Sequence, residues 1–178
     1  GRRAGLTAPN GLAQRALLRA AFEDAGVAAA SLARIEAHGT GTALGDPIES
    51  SSLAAAVLRE RRASVEALSA GSAKANSGHA EPAAGLAGLL LLAAGQSRRA
   101  ASPNAQLRRL NPRVGAALRG GAPRALPTGL AALGGGLGGV SSFGYSGTIA
   151  HAVLQAALSF SRGLSRPRIV FHRRAFFW

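Results

Sequence analysis

Apolar runs too short for a helix alternate along this chain with segments of helical period, and the alternation sets out the elements in order. Residues 32–37 and 67–73 each form a short apolar-rich run that predicts a strand. Between them, residues 47–61 place Leu53, Ala54, Val57 and Leu58 at helical spacing. Ahead of the first strand, Asn10 suits the cap of a helix of about fifteen residues that ends near Gly26, with a modest apolar face of Leu12, Ala16 and Leu17. Residues 83–95 are apolar on every side, with Leu86, Leu89, Leu90, Leu91 and Leu92 close together, and a helix without a polar face has to be buried. Residues 96–128 read as a long connection and 129–139 as a loose glycine-rich stretch. Residues 140–143 and 148–154 then read as two paired strands around a turn at 144–147. Strand alternating with helix predicts an α/β fold with a parallel sheet, whose sites gather beyond the carboxyl ends of the strands.

At 178 residues the chain can enclose one real core but not two large domains. It begins at Gly1 with no basic-then-apolar leader, so it reads as an excised piece, and no signal peptide is visible. A cytoplasmic or organellar compartment is the expectation. The longest apolar run, at 86–94, falls far short of the roughly 20 residues needed to cross a bilayer, so no membrane span is expected. The net charge of +13 comes from twenty arginines and a single lysine, against eight acids. The arginines are scattered and the stacking aromatics are few, so nucleic acid is not an expected partner, although a basic polyanion-binding protein is the class that charge alone would suggest. With no cysteine, the chain excludes disulfides, thiolate metal sites and a cysteine nucleophile of its own. The four histidines lack ligand spacing with a third donor, so no metal is expected. Gly134, Gly136 and Gly139 fit G-x-G-x-x-G but precede a strand instead of opening a helix, which rules out a dinucleotide site.

Candidate chemistry concentrates in I-E-A-H-G-T-G-T-A-L-G-D-P-I-E, residues 35–49. The first strand delivers His38 into a Gly/Thr turn that puts the hydroxyls of Thr40 and Thr42 beside the imidazole. The turn ends at Asp46, placed to cap the following helix, with Pro47 at its first position and Glu49 placed to reach back to the cap. The second strand brings Lys74 and His79 to its C-terminal end. In a chain that uses arginine everywhere else, the one lysine suggests a need for a compact ammonium.

Three segments in order, at 36–49, K-A-N-S-G-H-A-E-P-A-A-G-L-A-G at 74–88 and V-S-S-F-G-Y-S-G-T-I-A-H at 140–151, resemble the motifs of the β-ketoacyl synthases, the condensing domains of polyketide and fatty-acid synthases. With G-L-T-A-P-N-G near the start and P-N-A-Q-L-R-R-L-N-P-R-V at 103–114, the resemblance covers roughly residues 5–156. It implies the C-terminal half of a thiolase-like α/β fold, layered α/β/α/β/α, with a mixed sheet and a buried apolar helix between two sheets. Residues 1–157 would be that half and 158–178, containing His172, a basic tail like the linker that follows ketosynthases.

The resemblance further implies decarboxylative Claisen condensation of a malonyl-type extender on an acyl carrier protein. The partner acyl thioester would be held on a cysteine of an N-terminal half absent from this chain, and the complete domain would be a homodimer. His38 and His79 would be catalytic, with Lys74 balancing charge or orienting His79, and Glu36 and Glu81 as carboxylate partners of mainly structural weight. Thr40 and Thr42 would bind the phosphopantetheine arm, and the backbone N–H of Tyr145 would complete an oxyanion hole. His151 would be scaffold. No metal or dissociable organic cofactor is implied. Tyr145 stands where the family has phenylalanine and Ile149 where it has asparagine, a change that removes side-chain support from the turn. The same resemblance is compatible with a non-catalytic fragment serving as a scaffold.

Overall fold

The computed structural model describes residues 8–61, 66–119 and 122–156. Asn10 caps α1, Gly11–Asp24, through its side-chain oxygen, which accepts from Ala13 N–H at 3.1 Å. The central strand β1, Leu32–Glu36, is followed by α2, Gly45–Leu53, which runs on as a π-helical turn, Ala54–Leu58. Next come β2, Leu68–Gly71, the single turn α3, Lys74–Ser77, and α4, Ala84–Arg98. The segment predicted as a plain connection contains β3, Ala100–Ala101, α5, Pro112–Ala117, and β4, Arg124–Ala125. Its Asn111-Pro112 pair supplies the cap and first residue of α5, Asn111 accepting from Arg113 N–H at 2.9 Å. The two-residue β5, Ala131–Ala132, precedes the hairpin of β6, Leu137–Phe143, and β7, Ile149–Gln155.

Five strands form one mixed sheet in the order β4-β2-β1-β6-β7, parallel except for β7. One face packs on α1, α2 and α5 through Leu18, Phe22, Leu32, Ile35, Val57 and Leu118. The buried face of α1 is Gln14, Leu18 and Phe22, not the predicted Leu12, Ala16 and Leu17. Alanine and leucine occur on both sides of this helix, so apolar count alone could not choose its phase, and a glutamine inside the buried face conceals it.

The other face of the sheet lies against α4, which crosses β6 and β1. The full burial expected for α4 is not realised within this chain: Ala84, Gly88, Leu92 and Gly95 are buried, but Leu86 and Leu90 are 64% and 70% exposed. The reason is that the described residues supply one five-stranded sheet, which covers one side of the helix, and only a two-residue antiparallel pair of Ala100–Ala101 with Ala131–Ala132 besides, which leaves Leu86 and Leu90 uncovered. No helix among the described residues is long and apolar enough to cross a membrane. The tail at 158–178, with His172, lies outside the described residues.

An apolar stripe of this kind promotes self-association of the isolated chain. Replacing Leu86→Glu together with Leu90→Glu should lower its sedimentation-measured association and its dye-accessible apolar surface. Unchanged association would place the adhesive surface elsewhere.

Candidate active site

Each histidine-bearing or turn motif follows the carboxyl end of a parallel strand: His38 after β1, Lys74 and His79 after β2, and Gly144 and Tyr145 after β6. The parallel register brings these ends together, with Glu36 opposite Gly71 on one side and Val140 on the other. His38 and His79 face each other edge-on, ring centroids 5.9 Å apart and planes at 87°. Phe143 stacks at a tilt on His38 with centroids 5.3 Å apart.

Hydrogen bonds fix which ring nitrogen carries the proton. His38 Nδ1 accepts from Phe143 N–H at 3.3 Å, and His79 Nδ1 accepts from Glu81 N–H at 2.8 Å. A neutral imidazole that accepts at Nδ1 is protonated at Nε2, so both rings have an Nε2–H to donate. Burial, followed by the nearby Lys74 charge and His79, lowers the pKa of His38 to about 4 and keeps it neutral at physiological pH. Glu81, read as a carboxylate partner, serves instead through its backbone, at φ 46°. The bond that orients His79 therefore comes from Glu81 N–H.

The turn after β1 is held by two carboxylates. Glu49 accepts from His38 N–H at 2.8 Å and from Gly39 N–H at 2.9 Å, one donor to each oxygen. Asp46 accepts from Gly41 N–H at 3.1 Å and also from the backbone N–H groups of Thr40 and Thr42. This corrects the capping box predicted here. The helix starts at Gly45 after Leu44, with no side-chain cap, and both acids turn back to the loop. Pro47 fits at the third helical position because the first N–H groups of a helix have no intrahelical acceptor to lose. Burial pushes the carboxyl of Glu49 up to about 7 against the pull of these two N–H donors. At Gly39, φ 45°, a side chain would strike Ser72 on the adjoining segment.

His38, His79, Thr40, Thr42 and Tyr145 line one cavity of about 460 Å³. Lys74 does not join them; it lines a second cavity of about 550 Å³ on the other side of the same turn, with Thr40, Glu49 and His79 common to both. Burial lowers the Lys74 ammonium pKa while Glu49 and Glu36 pull it up, so its charge sits between two carboxylates. Tyr145 is 84% exposed, and Thr42 Oγ1 accepts from Gly45 N–H at 3.0 Å. His151 lies in the sheet, its Nδ1 3.0 Å from Ser141 Oγ and its ring centroid 5.9 Å from that of Phe22. No group of three or more His, Asp or Glu able to hold a metal occurs among the described residues.

One support was not foreseen, and a second, Glu36, has the structural weight expected of it but with a partner, Arg34, that was not. Asn104 gathers the end of β2: its Nδ2 donates to Ala70 O at 3.0 Å and Pro127 O at 3.2 Å, and its Oδ1 accepts from Ser72 N–H at 3.2 Å. The residues leading into Lys74 are thereby fixed. Glu36, fully buried, accepts from Ala73 N–H and pairs with Arg34 at 3.7 Å. Opposite charges two apart on a strand share a face, and that spacing was the available signal for Arg34; for Asn104 the signal was its place in the family-like segment 103–114, from which no role was read.

Acidification has a definite sign. His38 and His151 both have pKa values near 4 in the fold against an ordinary 6.5, so between pH 6.5 and 4 the unfolded chain takes up protons that the fold refuses. Their contribution to stability is lost as pH falls through that window. Lys74→Ala should raise the His38 midpoint, read by NMR of the ring carbons, but leave it below 6.5, because burial is the larger cause. A wild-type midpoint near 6.5 would mean a solvated ring. Asn104→Ala should cost about 1–3 kcal/mol in chemical denaturation, and no loss would remove its bracing role.

The model of the β-ketoacyl synthase C-terminal domain matches residues 1–108. Mycoketide-CoA synthase of Mycobacterium tuberculosis is 41% identical over 156 residues, which is 85% of this chain and 4% of that protein. Erythronolide synthase of Saccharopolyspora erythraea is 41% identical over 152 residues, 84% of this chain and 5% of that protein. An oxazolomycin ketosynthase domain of Streptomyces albus superposes with a TM-score of 0.80 at 33% identity, covering 89% of this chain and 28% of that one. The ketosynthase from module 6 of the bacillaene synthase of Bacillus subtilis gives 0.75 at 33%, covering 86% and 28%. The chain thus spans a small part of these two synthases and 28% of each of these two solved ketosynthase chains. Its ordered motifs, its thiolase-like sheet and these matches agree: the chain belongs to the β-ketoacyl synthase family, through the C-terminal domain.

Proposed function

We propose that this chain supplies the decarboxylation half of a ketosynthase site. The observation that carries the reading is the pair of neutral imidazoles, each with Nδ1 occupied by a backbone donor and Nε2–H left to donate. In the proposed reaction a malonyl-type thioester on an acyl carrier protein loses CO₂, and the electron pair of the broken C–C bond forms an enolate. Two Nε2–H donors aimed at the thioester oxygen would stabilise the charge that develops there. The enolate carbon then attacks the carbonyl of an acyl thioester on a cysteine outside this chain, and that thiolate departs as the new C–C bond closes. Thr40 and Thr42, at the cavity rim, would hold the pantetheine arm, and the backbone N–H of Tyr145 would donate to the oxygen of the acylated cysteine. Lys74 would balance Glu49 and Glu36 beneath the turn, and its charge helps keep His38 neutral. The arm arrives as part of the substrate, so the reading calls for no dissociable cofactor. Its partners are the carrier protein, the half-domain with the cysteine, and a second copy of the complete domain.

In the complete domain, His38→Ala or His79→Ala should lower CO₂ release and condensation by roughly 10²–10³, the scale of losing one such donor. Loading of the starter onto the cysteine should suffer less, because its charge develops on a different oxygen. If the imidazoles only brace the turns, both half-reactions would fall together with thermal stability. Unimpaired CO₂ release in both folded variants would sink the assignment.

A further inference from the structure

Charge is divided along the chain more sharply than its total shows. All eight acids lie in residues 1–81, whereas residues 82–178 contain none and carry twelve of the twenty arginines. Four of these, Arg108, Arg109, Arg113 and Arg119, cluster on and beside α5. Each is exposed, and none pairs with a carboxylate among the described residues. Interleaved with them, Leu107, Leu110, Val114 and Leu118 line the second cavity of about 550 Å³. Leu110 is 38% exposed at this wall. Unpaired arginines around an apolar hollow match an occupant of opposite charge that also brings apolar surface. Residues 82–142 contain no aromatic side chain to stack a base, which disfavours nucleic acid. A hollow among the charges favours a projecting side chain over a flat lipid surface.

We propose that residues 107–119 form a docking surface for an acidic amphipathic helix of a partner protein. Its carboxylates meet Arg108, Arg109, Arg113 and Arg119, whose guanidinium forks suit carboxylate oxygens. Its apolar face meets Leu110 and sends a side chain into the second cavity, the usual way an amphipathic helix fills a groove. Of the two cavities, Thr42 and Tyr145 line the first alone, so this surface is separate from theirs and both can be occupied together. The wall common to both, Thr40, Glu49 and His79, puts the docked side chain behind the histidine turn.

The test uses the complete ketosynthase domain and a labelled helical peptide whose leucine stripe is flanked by glutamates. Binding is read by fluorescence anisotropy at physiological salt, beside the same peptide with glutamine for every glutamate. The glutamate peptide should bind roughly tenfold tighter, the scale of a few exposed charge pairs acting together, and Arg109→Glu with Arg113→Glu should remove the difference. Leu110→Asn leaves every charge in place and should weaken the glutamate peptide by roughly fivefold, the scale of one partly buried aliphatic side chain. These side chains are exposed, and an unchanged thermal transition verifies that the variants keep the fold. Equal binding of the two peptides by the wild type overturns the docking surface, as does a charge-reversed variant that keeps the difference. A Leu110→Asn protein that binds like the wild type reduces the surface to charge alone and overturns the groove. Random duplex DNA or phosphatidylserine vesicles that displace the peptide more effectively than its unlabelled copy, at equal charge, overturn the choice of partner.

Discussion

The Glu36 carboxylate is the constraint on which the arrangement turns. It ends the central strand, two residues before His38, and is only 1% exposed. There it pairs with Arg34 and accepts the N–H of Ala73, the residue before Lys74. One side chain thus joins the strand that delivers the first histidine to the segment that delivers the second. Burial opposes both charges, lowering the pKa of Arg34 and raising that of Glu36, and each partner offsets part of that cost for the other. Such a pair adds little net stability, but losing one member leaves a buried charge uncompensated. Helix α4 is shaped to cover it. A side chain at Gly95 would strike the Arg34 guanidinium, and one at Gly88 would press within 3.2 Å of Glu36. These glycines lie seven residues apart, two turns along one face, so the helix can lie flat on a charged strand.

Above that base, the site is built mainly from backbone donors gathered by acids. Glu49 and Asp46 together accept the N–H groups of five consecutive residues, His38, Gly39, Thr40, Gly41 and Thr42. The imidazoles are then set by backbone N–H groups of Phe143 and Glu81. Rigid scaffold contacts therefore aim both rings without drawing on their Nε2–H groups, which is what a preorganised donor pair requires. Glu49 and Glu36 explain why Lys74 can stand behind the turn beside a neutral His38: they balance its charge locally, and its residual field opposes an imidazolium.

Strands β1, β2 and β7, the end of β6, the Asn10 cap and the β6–β7 turn were legible because each follows a local rule of apolar run, cap or turn, whereas β3, β4 and β5 are two residues long and the first half of β6 lay in the stretch read as loose and glycine-rich. What escaped notice depended on pairing across the fold. Arg34 reads as an outward-facing strand residue until Glu36 is seen on the same face beneath α4. The acids at 46 and 49 fit a capping box by spacing alone, yet the denser set of unpaired N–H groups lies in the Gly/Thr turn, and both carboxylates face it. Residues 112–117 are too short for helical periodicity to register, although Asn111-Pro112 marked the start. Lys74 was grouped with the histidines by motif, and only the three-dimensional placement separates it into the neighbouring cavity.

Ile149 shows how far the turn after β6 depends on side chains at all. Isoleucine cannot make the hydrogen bonds of an asparagine, so a turn braced by that side chain would be expected to loosen. The backbone supplies the closure instead: Gly144 N–H donates to Thr148 O at 2.6 Å, Gly147 N–H donates to Gly144 O at 3.1 Å, and Phe143 stays in register opposite Ile149. Because Phe143 N–H is also the donor to His38 Nδ1, closing the hairpin by backbone bonds holds the histidine tautomer in place whatever residue stands at 149. The substitution acts on the cavity, where Ile149 adds apolar wall beside Tyr145. The apolar wall changes, while the backbone bonds that set Phe143 N–H against His38 Nδ1 are kept.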